Sequence, residues 1–586
     1  MCRGRTFGVA ALGVMVCCAL SAGGCGNAGR RGDDVARISR EFVESYFKTH
    51  PVYATWAGDH RYDDRIDDMS DIAVAAELKT LKDYRARLEG LDRAGLSLKD
   101  KIDAEMLGYE IERGISDIED LRMYRLDPLV YTQLLGSSIN YLIARDYAPL
   151  DERLDMAAAR LEQFPRAVDQ AMRNLTEPTK ARTDMAIAQN RGTIKLLEVD
   201  LRHVAAGAPS RTEKVARAIG PAGQALRVFQ DYLERDLARR STGDFRLGDP
   251  LFRRRLALVL QSDMTSEDIV AEAYAEIDRI HERMYDLAAP LYADMVSRQP
   301  FAAPPHEGRK EIIRRVLGDI SRDHPKASAL LDSCRAAFTE AARFVREKDI
   351  IAIPPEPLEI IWTPEYMRGV STTGLDSPGP LEKGMKSFLV VSPPPDYLSP
   401  RQVEAFLREY NTEMLRVITI HEAMPGHFVQ LAYANRNPSI VRSIFPNEAF
   451  VEGWAVYCME MMPAEGFRAG DARFRLQAEK LYVRSVINAI LDAGVHRGGM
   501  TEYEAMKLMI DEGFQEESEA VMKWDRAVLF PGYLSTYFVG CREIRSLGEE
   551  AEVRWGGSFR PSEFHERLLR QGAIPFPYVR EMLFGQ

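Results

Sequence analysis

Residues 412–427 read T-E-M-L-R-V-I-T-I-H-E-A-M-P-G-H, an apolar stripe that runs into two histidines. Met414, Leu415, Val417 and Ile418 make a helical face whose burial carries His421 and Glu422 inward. In the H-E-x-x-H pattern, positions i and i+4 share a helical face, so both imidazoles reach one zinc ion. Here the second histidine, His427, stands at i+6, roughly 120° round a straight helix and too far to share a metal. Pro425 and Gly426 intervene: proline disrupts a helix and glycine permits unusual dihedrals, so the backbone can swing His427 back beside His421. The alternative is a helix that ends at Met424, with both histidines in structural roles. Spacing alone leaves the two readings open.

A third residue bears on the choice. Phe450-Val451-Glu452-Gly453-Trp454-Ala455-Val456-Tyr457 places a carboxylate in an apolar run. Carboxylates are rarely buried unless paired or metal-bound. Two histidines and a glutamate are the ligand set of thermolysin-type zinc sites, which keep a fourth position for water. Glu460, at i+8 from Glu452, falls on nearly the same face and reads either as an outer support or as a solvated charge.

Outward from this centre the chain reads as helix after helix. Stripes at three- and four-residue spacing run through Ile38–Phe47, Ala75–Leu91, Lys101–Ile118, Arg153–Met172, Met185–Val204 and Lys214–Arg239. Thr265-x-x-Asp268 opens another, carried by Ile269, Ala273, Ile277, Ile280 and Met284. The texture changes between residues 350 and 400. Ile351–Pro355, Leu358–Trp362 and Ser387–Val391 are strand-like, with a Gly/Ser/Pro loop at Gly369–Gly379. Ser399-Pro400-Arg401-Gln402 then restarts helix with a complete capping box. The expected fold is mainly α: two helical lobes flanking a deep groove, with a small β-sheet near the metal site. The expected divisions are an N-terminal helical lobe at 37–349, a β-containing segment at 350–400 and a C-terminal helical lobe with the metal at 401–586.

The first residues carry an address. Arg3 and Arg5 precede an apolar run from Phe7 to Leu20 and small residues ending at Cys25, the plan of a secretory signal. Leu20–Cys25 resembles a bacterial lipobox, so residues 1–25 are expected to be a signal peptide with lipidation at Cys25, and 26–36 a polar tether. Four of the seven cysteines lie in this leader; Cys334, Cys458 and Cys541 are too few and too scattered for a disulfide framework. The 586-residue chain has 77 basic and 88 acidic side chains, a formal charge of −11, which offers no field for nucleic acid.

His421–Gln430, Val451–Tyr457, Asp492–His496 (D-A-G-V-H) and Pro531-Gly532 with Tyr537 and Gly540 resemble the bacterial family catalogued as domain of unknown function 885, grouped with the gluzincin metallopeptidases. The early stretch Pro51–Asp64 and the loop Thr363–Pro378 are similar to it as well. Tyr533-Leu534 departs from the Gln-Ala that follows Pro-Gly in that family. The resemblance implies one zinc per chain in a groove between helical lobes. With His421, His427 and Glu452 as ligands, Glu422 is placed as general base, and Tyr537 or His496 as oxyanion donor. Arg368 and Arg484 are candidate clamps for a substrate carboxylate. The expected activity is hydrolysis of short peptides by an exported, lipid-anchored enzyme facing the periplasm or exterior. Its partners are a peptide or small amide substrate and a membrane reached only through the anchor. The alternatives are a zinc hydrolase of non-peptide amides or esters, and a metal-binding envelope lipoprotein without turnover.

Overall fold

The computed structural model describes residues 23–296, 306–363, 373–395 and 398–585. These residues are mainly helical with one three-stranded sheet, the fold class expected. Helix α1 (Gly23–Thr49) already includes the stretch expected as a tether: with Val35 and Ile38 seated in apolar cores, the polar residues before them continue the helical ladder. The stripe read as one helix through Arg153–Met172 is two, Leu150–Leu161 and Phe164–Asn174, with a proline near the start of the second.

Residues 129–237 gather a core of their own around Leu135, Ile139, Leu161, Phe164 and Phe229. The larger core joins Phe42 and Phe47 of α1 to Phe450, Trp454, Phe474 and Phe538 from the C-terminal half. Between these, α2 (Pro51–Ala57) is fastened to the loop that joins the second and third strands of the sheet. The Leu381 amide donates to the Ala57 carbonyl at 2.8 Å. His60 bridges Asp63 (2.9 Å) and Glu382 (3.0 Å) and stacks on Tyr147 at 3.6 Å between ring centroids. Asp63 also accepts from Thr55 (2.6 Å) and Tyr147 (2.7 Å), while the fully buried Arg160 donates to Thr55.

The sheet is β1 (Leu358–Trp362), β2 (Thr373–Asp376) and β3 (Ser387–Val391) in the order β1-β3-β2, parallel between β1 and β3 and antiparallel between β2 and β3. Two strands fall where alternation and β-branched residues predict them. Ile351–Pro355 forms none; its prolines cannot serve a ladder. Conversely β2 arises inside the expected loop, because Thr373–Asp376 finds partners on β3 that its glycine-rich surroundings do not advertise.

After the sheet come α3 (Pro400–Glu409), opened by the Ser399/Gln402 capping box, and α4 (Thr412–Glu422), capped by Asn411. They are followed by α5 (His427–Ala434), α6 (Glu448–Ala464), α7 (Ala472–His496), α8 (Glu517–Leu529) and α9 (Ser535–Trp555). α6 and α9 cross at backbone contact. A Cβ on Gly453 would lie 2.3 Å from the Gly540 carbonyl carbon, and one on Gly540 would lie 1.8 Å from the Ala449 oxygen. Any larger side chain at this crossing pushes the two helices apart and with them everything they carry.

Candidate metal centre

α4 ends at Glu422 and α5 begins at His427, so the helix stops and a tight turn, Ala423–Gly426, follows. The turn folds back against the helix it leaves: the Gly426 amide donates to the Ile420 carbonyl at 3.0 Å. A Cβ on Gly426 would lie 1.8 Å from the His421 carbonyl oxygen, so the approach requires glycine. The fully buried Trp454 holds the turn from α6, donating from its indole to the Pro425 carbonyl at 2.9 Å. The result brings the imidazoles of His421 and His427 edge to face, 4.9 Å between centroids.

Glu452 reaches the same point from α6. One donor atom from each of His421, His427 and Glu452 lies within 4.8 Å of the others, and His427 Nε2 stands 3.6 Å from Glu452 Oε2. That separation is too long for a hydrogen bond but suits two ligands of one ion, which sit about 3.4 Å apart on a tetrahedral zinc. His421 Nδ1 and Glu452 Oε2 are buried without a hydrogen-bond partner of ordinary geometry, although the Ala455 carbonyl lies near enough to His421 to favour its proton. Native proteins seldom leave such atoms unpaired, and a bound cation is one of the things that satisfies them. The donor set therefore fits a divalent metal.

The electrostatics are uneven. Burial, then the neighbouring His427, depress the His421 imidazole to about 3, which keeps it neutral. Burial also acts against charge on His427 and Glu452, but each outweighs it for the other: His427 is raised, and Glu452 falls to about 2. Burial pushes the Glu422 carboxyl above the usual range, with the Leu375 amide of β2 as a backbone donor working the other way. Among the described residues Glu422 forms no ion pair.

Of the other residues singled out in the sequence, Tyr537 stands at the site: its hydroxyl accepts from Arg526 at 3.0 Å and its ring lies 5.9 Å from that of Tyr533. His496 is not brought there. It is buried against Phe252 and Phe245, with Nε2 on the Ala527 carbonyl at 2.7 Å. Arg484 is buried in ion pairs with Glu409 (2.7 Å) and Glu519 (2.8 Å), which leaves it no fork for a substrate carboxylate. Glu460 meets Cys541 Sγ at 3.3 Å and Arg545 at 3.7 Å, and burial raises it to about 7. Arg368 and the side chain of Cys25 lie outside the described residues. Cys334, Cys458 and Cys541 are buried free thiols.

Three residues at the site escaped sequence reasoning. Tyr533 donates to Glu452 Oε1 at 2.5 Å. It is set there by Asp492, which is fully buried and accepts from the amides of Gly532 (2.7 Å) and Ser535 (3.0 Å). Lys523 and Arg526, one turn apart on α8, are the others. A buried aspartate in the apolar run of α7 was the available signal for Tyr533; the two cations resemble any solvated helix face.

The profile described as "Bacterial protein of unknown function (DUF885)" matches residues 51–583. A solved structure from Shewanella oneidensis, described as a candidate lipoprotein of unknown function, is 30% identical, with a TM-score of 0.78. The match covers 94% of this chain and 99% of that one. Another, from Colwellia psychrerythraea and also described as a candidate lipoprotein, is 17% identical over 94% of this chain and 98% of that one, with a TM-score of 0.77. At that identity it shows a shared fold. No curated protein matches the chain. Among the described residues no helix is long and apolar enough to cross a membrane.

Proposed function

This chain belongs to the DUF885 family of bacterial proteins, and we propose that it is an exported metallohydrolase that cleaves peptide or related amide bonds. One observation carries the reading: three side chains from α4, α5 and α6 converge on one point, beside a half-buried carboxylate, Glu422, that no ion pair engages among the described residues. The ligand set is that of gluzincin peptidases, and zinc is the metal it suits best. When bound, such an ion supplies Lewis-acid polarisation of a carbonyl and an acidified water.

The chain's own residues do the rest. Glu422, held high by burial, accepts the proton of the attacking water and delivers it to the leaving amine. Tyr537, which accepts from Arg526, is the hydroxyl placed to donate to the oxyanion. β2 is an edge strand beside Glu422, and an extended peptide can pair with its open side. A lipid on Cys25 would hold the enzyme at the envelope, in keeping with the descriptions of both structural relatives. A non-catalytic metal protein gives Glu422 no task.

Glu422→Gln tests this. The variant keeps its zinc, while hydrolysis of a peptide mixture read by mass spectrometry falls about 1,000-fold. Turnover at the parent's rate contradicts the reading.

A further inference from the structure

Lys523 and Arg526 lie three residues apart on one face of α8, and among the described residues neither forms an ion pair. Their polar contacts are neutral: Lys523 Nζ meets Asn488 Oδ1 at 2.9 Å, and Arg526 Nη2 meets the Tyr537 hydroxyl at 3.0 Å. Most other arginines among the described residues are engaged with carboxylates, as Arg484 is with Glu409 and Glu519. Arg526 adjoins the metal cluster: it donates to Tyr537, whose ring packs on Tyr533, which in turn donates to Glu452, and its charge bears on His421 and Glu422. Two cations side by side repel. Burial, then Arg526, bring the Lys523 ammonium down to about 7, against the pull of Glu519 and Glu452. Such an arrangement is relieved by an incoming anion, and a guanidinium fork beside an ammonium suits a carboxylate.

Resting on the metallohydrolase reading, we propose that Lys523 and Arg526 form the subsite that holds a free carboxylate of the substrate, so that the enzyme prefers peptides whose carboxyl terminus is unblocked. The pair selects and positions substrate; Glu422 and Tyr537 carry the chemistry. Arg526 serves twice, since its bond to Tyr537 couples carboxylate capture to the orientation of the proposed oxyanion donor.

The test uses N-acetylated peptides with a free carboxyl terminus and the same peptides as C-terminal amides. Binding to zinc-loaded Glu422→Gln protein is measured by calorimetry, and hydrolysis is measured with the parent. The free acids bind about tenfold tighter than the amides and show a correspondingly lower KM. Lys523→Met and Arg526→Gln, each carrying the parent's zinc content, bring that ratio near one, and Arg526→Lys restores part of it. Equal binding of acid and amide overturns the subsite even where the parent hydrolyses both. A ratio that survives in both variants also overturns it. Absence of turnover in the parent sinks the metallohydrolase reading instead, and the binding ratio still judges the subsite.

Discussion

Two of the clusters that combine histidine with carboxylate, those at His60 and at His421, are built on opposite principles. At His60 both ring nitrogens are bonded to carboxylates, Asp63 and Glu382, and both oxygens of Asp63 are occupied. Burial acts against charge on this imidazole, but the two carboxylates outweigh it and raise it to about 9. At His421 the balance reverses: burial and a neighbouring histidine keep the ring neutral, and His421 Nδ1 and Glu452 Oε2 have no hydrogen-bond partner of ordinary geometry. A satisfied, charged histidine is a fastener, here tying α2 to the loop before β3. A neutral, unsatisfied one is prepared for a ligand, since metals bind the deprotonated imidazole.

The contrast breaks if the clusters can be exchanged in function. His427→Ala is expected to lose the metal and to lower turnover by about 1,000-fold or more, as loss of a ligand to the reacting centre should. His60→Gln keeps metal and turnover, and costs about 2 kcal/mol of stability, between the exposed and buried ion-pair ranges. Metal analysis and chemical denaturation check both; a His60 variant that loses its metal would erase the distinction.

A smaller effect sharpens it. Tyr533 donates a hydrogen bond to Glu452 Oε1, so Tyr533→Phe should weaken zinc affinity roughly 10- to 100-fold, the usual cost of removing support from a metal ligand. Competition with a chelator measures this, and an unchanged affinity would mean that Glu452 is positioned without the tyrosine.

The smallest effect is a pH slope. His60 is raised in the folded chain, so its contribution to stability is complete below about 6.5 and drains away as pH rises through about 9. Parent stability should therefore fall more steeply between pH 7 and 9.5 than that of His60→Gln, by roughly 1 kcal/mol. Parallel curves would show that the ring is not held charged.

What the chain discloses on its own follows from the range of the interactions involved. The Ser399/Gln402 capping box and the apolar stripes of the long helices are local and can be read directly. Glu452 is legible because a carboxylate stands out in an apolar run. The turn at Pro425-Gly426 is legible as a break, yet only the packing of Trp454 and the contact at Gly426 fix where it sends His427. β2 was hidden because a strand in glycine-rich sequence owes its existence to its partner. His496 and Arg484 looked available because neither the aromatic rings around one nor the carboxylates around the other are near in sequence. Lys523 and Arg526 were concealed for the converse reason: that neither forms an ion pair among the described residues is visible only in three dimensions.

The account stands on three side chains sharing one ion. The direct measurement is elemental analysis of protein purified without chelator, alongside His421→Ala, His427→Ala and Glu452→Gln. The account predicts close to one zinc per parent chain and a loss of most of it in each variant. Metal retained equally by all four proteins, or absent from a parent that still hydrolyses peptides, would contradict it.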